Sequence, residues 1–336
     1  MKVGVIGVAE GVHEARFLRA FRERGVEAIF ISFDELAQPS CGEGRQLELE
    51  EVDFYFGGPL HEGLRIASRL EGLPFIAVSY AYDVLHEAKL DSQAAEGVRR
   101  LLGMSAGLLV DCEAVAKAAK EIFGYAGRML VRAWGLERTA SSLVGCGTSE
   151  AVGLEEFSAG PRIVSLRNFS ELHGVMDVVR AFGHAATRDS ALRLLLAGDG
   201  PLKVQIGELI EDLGLAERVS LLGRIPESEI IGLIQRADVY VSASVVDGTS
   251  ISLLQALDAG VPVLLSNVGG NPEWVERVEG AVLFEPGNWQ QLGDCMLAAT
   301  RQGPTRRFNR SAALARHADW MLNADAIVGF CLQAIG

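Results

Sequence analysis

The chain has 336 residues, long for one core and comfortable for two domains. Hydrophobic residues make up 49% and charged residues 22%, which excludes an intrinsically disordered protein. The formal net charge of −13 argues against nucleic acid as a partner, because phosphate backbones demand a basic footprint, yet it leaves room for a local basic pocket that takes one diphosphate.

The N-terminal MKVGVIGVAEG holds an apolar run that stops at Gly7. It is too brief and too valine-rich for a signal peptide and reads as a first buried strand. No run approaches the length of a membrane span, and no lysine- and arginine-dense amphipathic helix offers an anchor on anionic lipid. A weak peripheral membrane association is all that is left open. The five cysteines are odd in number and form no Cys-x-x-Cys pair, which points to a reducing cytoplasm.

Short apolar strands then alternate with amphipathic helices. The expected strands of the first half are Val3–Ile6, Ala28–Ser32, Val52–Phe56, Phe75–Ser79, Gly107–Val110 and Met129–Arg132, with helices such as His13–Arg24 and Glu113–Phe123 between them. The stretch GLERTASSLVGCGTSEAVGLEEFSAGPR has little periodicity and many small residues, and reads as a connection. A second series starts at Arg162, with strands Ile163–Leu166, Leu192–Ala197, Val219–Leu222, Val239–Ala243, Val263–Ser266 and Ala281–Phe284. In the helix Gly174–Phe182, Val175, Val178, Val179 and Phe182 recur at i, i+3, i+4 and i+7 and form one apolar face. Continuous apolar strands joined by helices predict parallel sheets covered on both faces. The expected fold class is α/β, with two doubly wound, Rossmann-like domains. They divide as residues 1–140, a connection over 141–160, a second domain over 161–309 and a final helical stretch over 310–336. Ligands of such sheets bind at the carboxyl ends of the strands, here in a cleft between the domains.

The second series carries most of the chemistry. Arg167 follows its first strand, where a guanidinium suits a pyrophosphate and equally a surface salt bridge. His173 and Gly174 open the next helix. Gly198-Asp199-Gly200-Pro201, Gly223-Arg224 and the loop holding Gly269 and Gly270 each follow a strand. Asp247-Gly248-Thr249-Ser250 precedes the apolar helix Ile251–Ala259, which Gly260 and Pro262 end. Two readings fit that helix start. Asp, Thr and Ser cap orphan N–H groups, and a helix N-terminus with a nearby glycine also makes an anion site. One such loop says little, but five on one edge of one sheet predict a ligand site. No Asp-x-Asp and no His/Cys cluster at metal-ligand spacing occurs, so neither a metal nor another cofactor is expected.

Residues from Arg162 to about Gly287 resemble the nucleotide-sugar-binding domain of the retaining group-1 (family 4) glycosyltransferases, which have the GT-B fold. The matching pieces are VSLRNFSELHGVMDVVRAF, LRLLLAGDGPL, VSLLGRIPESEI, ADVYVSASVVDGTSISLLQALDAGVPVLLSNVGGNPEWV and GAVLFEPGN, in that family's order and spacing. In the first half YAYDVL resembles the acceptor-side loop that ends in an aspartate, here Asp83. RAWGLE resembles the aromatic-glycine stretch before the linker, and RHADWM the final helix that crosses back to the first domain.

The resemblance implies that the helix start at Ile251 cradles a donor diphosphate. It implies that Asp247 stands where a glutamate contacts the donor sugar, and Gln255 where a second glutamate holds the ribose. Arg167 matches the phosphate-binding arginine. The partner lysine is replaced by Leu172 or His173, and a cation lost from such a site is worth about 3 kcal/mol. His173, if protonated by nearby phosphates, would replace part of it. In place of a Gly-Gly loop this chain has Gly7-Val8-Ala9-Glu10-Gly11-Val12-His13, in which Gly7 and Gly11 let the donor approach. His13 either faces the cleft or is a plain helix residue. The catalytic residues so implied are Arg167, His173, Asp247, His13 and Asp83. The donor-binding ones are Gly7, Gly198, Gly200, Gly223, Arg224, Gly248, Thr249, Ser250, Gln255, Gly269 and Gly270. The implied activity is metal-independent, retaining transfer from a nucleotide sugar, UDP-sugar by default, to a hydroxyl of a glycan, lipid-linked or small-molecule acceptor. Gln255 and the missing lysine keep a catalytically silent binding subunit as the alternative, with a nucleotide-sugar epimerase behind it.

Overall fold

The computed structural model describes residues 1–37, 52–137, 160–301, 308 and 312–336. They form two compact units, Met1–Trp134 with Trp320–Gly336, and Gly135–Asp319. Most of the expected connection, residues 138–159, and the start of the final helical stretch lie outside the described residues.

The first unit is built on a parallel sheet of β1 (Lys2–Gly7), β2 (Glu27–Ser32), β3 (Phe54–Gly57), β4 (Phe75–Val78), β5 (Gly107–Val110) and β6 (Met129–Val131), in the order β2-β1-β3-β4-β5-β6. The three middle strands, FYFG, FIAV and GLLV, are buried at every residue because helices cover both faces. Alternate side chains feed two cores. Tyr55, Ala77 and Leu108 point to one, with Ile66, Leu70, Val98 and Leu101 from helices. Phe54, Phe56, Ile76, Val78 and Leu109 point to the other, with Phe17 and Phe21 of the helix Val12–Glu23. The last helix, Trp320–Ile335, lays Trp320, Ala324, Ile327, Val328 and Cys331 on that second face.

The second unit repeats the plan with β7 (Arg162–Ser165), β8 (Arg193–Ala197), β9 (Val219–Gly223), β10 (Val239–Ser242), β11 (Val263–Ser266) and β12 (Ala281–Phe284), in the order β12-β11-β10-β7-β8-β9. The helix Val175–Ala186 buries Val175, Val178, Val179 and Phe182, the face its spacing predicts. The chain runs outward from β7 to β9, then returns to lay β10 on the other side of β7. β7 and β10 therefore flank the point where the winding reverses, the usual ligand site of such a sheet. In the first unit β1 and β3 flank the equivalent point.

The expected final helical stretch holds two helices, Ala312–His317 and Trp320–Ile335. The backbone between them is taken up elsewhere. Leu136 N donates to Ala318 O at 2.6 Å, and Leu136 bridges to Asp319 as a parallel β-pair. No described helix is long and apolar enough to cross a membrane.

Candidate functional site

The reversal point of the second unit brings Arg167, just after β7, to Asp247, in the loop after β10. Arg167 Nη2 lies 3.0 Å from Asp247 Oδ2, with both side chains about nine-tenths buried. Burial pushes the Asp247 carboxyl above its ordinary range, against the pull of the Arg167 guanidinium. Burial also works against the charge on Arg167, but Asp247 and then Tyr240 outweigh it and hold the guanidinium charged. Arg167 Nε has no hydrogen-bond partner. Tyr240 stands below the pair on β10, its hydroxyl 2.8 Å from Ser252 Oγ.

Neighbouring loops are packed onto this pair by glycines. A Cβ on Gly198 would meet Arg167 O at 2.2 Å, and one on Gly269 would meet Asp247 O at 1.6 Å. Gly200 closes on Phe169 O in the same way. Gly270 N donates to Asp247 O at 3.3 Å, and Gly248 is buried beside it. These glycines shape the edge rather than face a ligand across open space. Gly223 differs, with nothing near its Cβ position. Arg224 after it is exposed, which leaves a cation at the same edge.

The helix start at Ile251 shows both of its expected chemistries, divided between side chain and backbone. Ser250 Oγ accepts from Leu253 N at 3.2 Å, so Ser250 is the N-cap. Thr249 Oγ1 accepts from the buried Trp274 Nε1 at 3.1 Å. Each hydroxyl thus spends an acceptor position within the protein and keeps an O–H of its own. An anion here would also meet the first-turn N–H groups and the helix dipole. Gln255 is half-buried on the same helix.

His173 ends a short 3₁₀ turn, and its Nδ1 lies 2.8 Å from Ser170 Oγ. The chain leaves through Gly174 at φ 59°, where a Cβ would meet Ala243 O at 2.0 Å. Burial, then the charge on Arg167, lowers the His173 pKa to about 4. The expected stand-in for lysine is a His173 protonated by nearby phosphates, whose negative charge would act against this lowering.

In the first unit the same edge is organised by Glu14, which sequence reasoning missed. Glu14 Oε1 accepts from the Tyr80 hydroxyl at 2.8 Å and Oε2 from Gly11 N at 3.2 Å. A Cβ on Gly7 would meet Glu14 Cγ at 2.8 Å. The available signal was Gly11-x-x-Glu14, the spacing at which an N3 glutamate reaches back to its N-cap. His13 packs 5.8 Å from the Tyr80 ring and 6.0 Å from Trp134.

Burial, then Arg16, lowers the His13 pKa from 6.5 to about 4. Below pH 6.5 the unfolded chain takes up a proton that the folded one refuses, so stability falls as pH drops from 6.5 to 4. The loss is at most about 3 kcal/mol. His13→Asn is expected to flatten the stability profile of this unit over that window, read by urea unfolding. An unchanged slope would refute it.

Asp83, expected on the acceptor side, is fully buried. It accepts from Ser79 Oγ at 2.6 Å, Leu60 N at 2.9 Å and Val84 N at 2.9 Å. Burial pushes its carboxyl up, while these donors pull it back. It ties the loop after β3 to the loop after β4, which runs through Ala81 at φ 66°. With no exposed surface it cannot touch an acceptor, and its assignment as catalytic is corrected to a structural clamp. Asp83→Ala would orphan three buried donors. It is expected to cost about 3 kcal/mol or more in urea unfolding, and a change under about 1 kcal/mol would contradict the clamp. Among the described residues no group of three His, Cys, Asp or Glu is placed to hold a metal ion.

Residues 152–313 match the family described as glycosyl transferases group 1. That segment resembles the group-1 glycosyltransferases along 162 of the chain's 336 residues. Over 132 residues, 39% of this chain, it is 32% identical to the N-acetyl-alpha-D-glucosaminyl L-malate synthase of Bacillus anthracis, covering 34% of that protein. The chain spans about a fifth to a half of the length of the curated relatives it matches. Solved structures share the fold along the whole chain. Sucrose-phosphate synthase from Thermosynechococcus elongatus superposes with a TM-score of 0.78 at 14% identity, covering 99% of this chain and 98% of the other. Anabaena HepE, solved with UDP-glucose, gives 0.76 at 15% identity over 99% and 100%. The two six-stranded parallel sheets thus have the GT-B architecture of these solved structures.

Proposed function

We propose that this chain is a retaining, metal-independent glycosyltransferase that takes its sugar from a nucleotide diphosphate sugar, with UDP-sugar as the default donor. One observation carries the reading. A buried, charged Arg167, with its Nε unpaired, stands at the reversal point of the second sheet, at the edge that also presents the Ile251 helix start. Arg167 and the helix N–H groups would take the diphosphate as it leaves. The bond from the sugar C1 to the phosphate oxygen breaks, and an acceptor oxygen bonds to C1 on the same face. The acceptor proton goes to the departing phosphate. HepE, of the same fold, was solved with UDP-glucose, which supports the donor class. A silent binding subunit is favoured by the residues themselves, Gln255 in place of a glutamate and Leu172 or His173 where the family resemblance implies a lysine.

Calorimetric titration with UDP, GDP, ADP and their sugars, with and without EDTA, tests both. One nucleotide is expected to bind at micromolar strength, indifferent to EDTA. Arg224→Ala, a change at an exposed side chain, is expected to weaken it about tenfold, the worth of one charged hydrogen bond. Slow donor hydrolysis alongside binding supports the enzyme, and binding without any turnover supports the subunit. If no nucleotide binds, the proposal fails.

A further inference from the structure

Tyr240 lies on β10 between Val164 of β7 and Val263 of β11. Its strand neighbours Val239 and Val241 turn into the core with the helix Val175–Ala186. Tyr240 therefore turns to the opposite face of the sheet, where it meets the helix Ile251–Asp258. The side chain is wholly buried. A leucine or phenylalanine would fill that place with no polar atom to satisfy, so a phenol there needs partners. It has them on two sides.

On one side the Tyr240 hydroxyl is 2.8 Å from Ser252 Oγ, in the first turn of the helix, and also bonds Ser250, its N-cap. On the other it bonds the Arg167 guanidinium, through a terminal nitrogen because Nε has no partner. A guanidinium only donates, so the phenol oxygen accepts from it and keeps its own O–H for the serines. Burial pushes the phenol up, against the pull of Arg167 and Ser252, so that proton stays in place at neutral pH. One hydroxyl thus touches both parts of the edge that suit an anion, the buried guanidinium after β7 and the helix start after β10. We propose that Tyr240 is a positioning residue for the diphosphate, whose hydroxyl joins Arg167 to the first turn of the Ile251 helix and holds the two at one spacing. Being wholly buried, it touches no ligand and acts only through them. Donors held in this way bind a charge without first having to be ordered. This rests on the donor-site reading above and goes beyond it by assigning the residue that makes one site of two separate loops.

The experiment compares the wild type with Tyr240→Phe, which removes one oxygen and keeps the ring, with Ser252→Ala, which breaks the other end of the link, and with the two combined. Whichever of UDP, GDP and ADP binds the wild type is titrated by calorimetry, and urea unfolding is run on the same preparations. Tyr240→Phe is expected to weaken the nucleotide about tenfold, the order of one hydrogen bond to a charged group. Ser252→Ala should weaken it in the same direction, and the double variant no further than Tyr240→Phe, because both changes cut one link. A merely structural role would lower stability alone, since a protein that remains folded keeps its dissociation constant. Unchanged affinity in Tyr240→Phe or in Ser252→Ala therefore overturns the inference and leaves the donor site standing. A double variant weakened by the product of the two single effects also overturns it, because the hydroxyls then act separately. If Tyr240→Phe does not fold, Ser252→Ala decides by the same criterion. A wild type that binds no nucleotide overturns the donor-site reading and the inference with it.

Discussion

Arg167→Ala is expected to destabilise the second unit by about 3–5 kcal/mol, far more than a substitution at any exposed ion pair of this protein. The reason is the partner left behind. Asp247 sits beside Arg167 with little water access, so removing the guanidinium strands a charge whose carboxyl is already pushed upward by burial. Asp247→Leu is expected to cost about as much, by stranding Arg167. Replacing both, as Arg167→Met with Asp247→Leu, removes the desolvation problem together with the attraction. The double variant is therefore expected to lose less than about 2 kcal/mol, since buried ion pairs often exchange for apolar pairs at little net cost. Urea unfolding of the four proteins closes the cycle. Additivity of the two single effects to within about 0.5 kcal/mol would mean that the side chains are not coupled. Stability and function separate here. The double variant is expected to fold and to bind nucleotide far more weakly, because the buried guanidinium is gone and only the helix N–H groups and Arg224 are left to meet a diphosphate.

The fold was legible where side chains leave no choice. GLLV, VLLS and AVLF are wholly apolar or nearly so, and β5, β11 and β12 begin and end where those runs do. The face of Val175, Val178, Val179 and Phe182 was legible because its period is that of a helix. The edge of the second sheet was legible as a set of glycine-rich loops, and Arg167 and Asp247 were both named from it. That they meet was not, because pairing depends on β10 returning beside β7.

What stayed hidden was mostly burial. His173 looks like a spare cation in the string LHG, and only its distance from water and its place near Arg167 make it neutral. Asp83 looks like an exposed acid at the end of YAYD, yet three donors from two loops enclose it. Tyr240 reads as one more apolar residue of VYVS, and nothing in that string shows its hydroxyl meeting Ser252. Glu14 had a local signature, the capping spacing from Gly11, while its link to Tyr80 spans 66 residues. Local rules reach capping and periodicity. They do not reach which carboxylate a fold will close over.

Gly269→Ala is the sharper test of how the site is held. Gly269 adopts φ +50°, and the Cβ of an alanine would stand 1.6 Å from Asp247 O, a main-chain atom that no rotamer change can move. The left-handed backbone alone costs alanine about 1–2 kcal/mol. Relieving the clash means shifting the loop after β11 or the loop that carries Asp247, so the total is expected to reach about 3 kcal/mol or more in urea unfolding. The two ways of yielding differ in consequence. If the β11 loop moves, Gly270 N loses its contact with Asp247 O and nucleotide affinity changes little. If the Asp247 loop moves, the carboxylate leaves Arg167, and the ion pair and the helix start at Ile251 shift together. The second is expected, because the β11 loop is pinned at its far side. Asn271 Nδ2 donates to Ser266 O at 3.0 Å, and Trp274 is buried against Thr249. Gly269→Ala should therefore lose stability and nucleotide affinity together, by urea unfolding and calorimetry on one preparation. A variant that loses stability alone would place the weak link in the β11 loop and show that Asp247 is held more firmly than its ion pair requires.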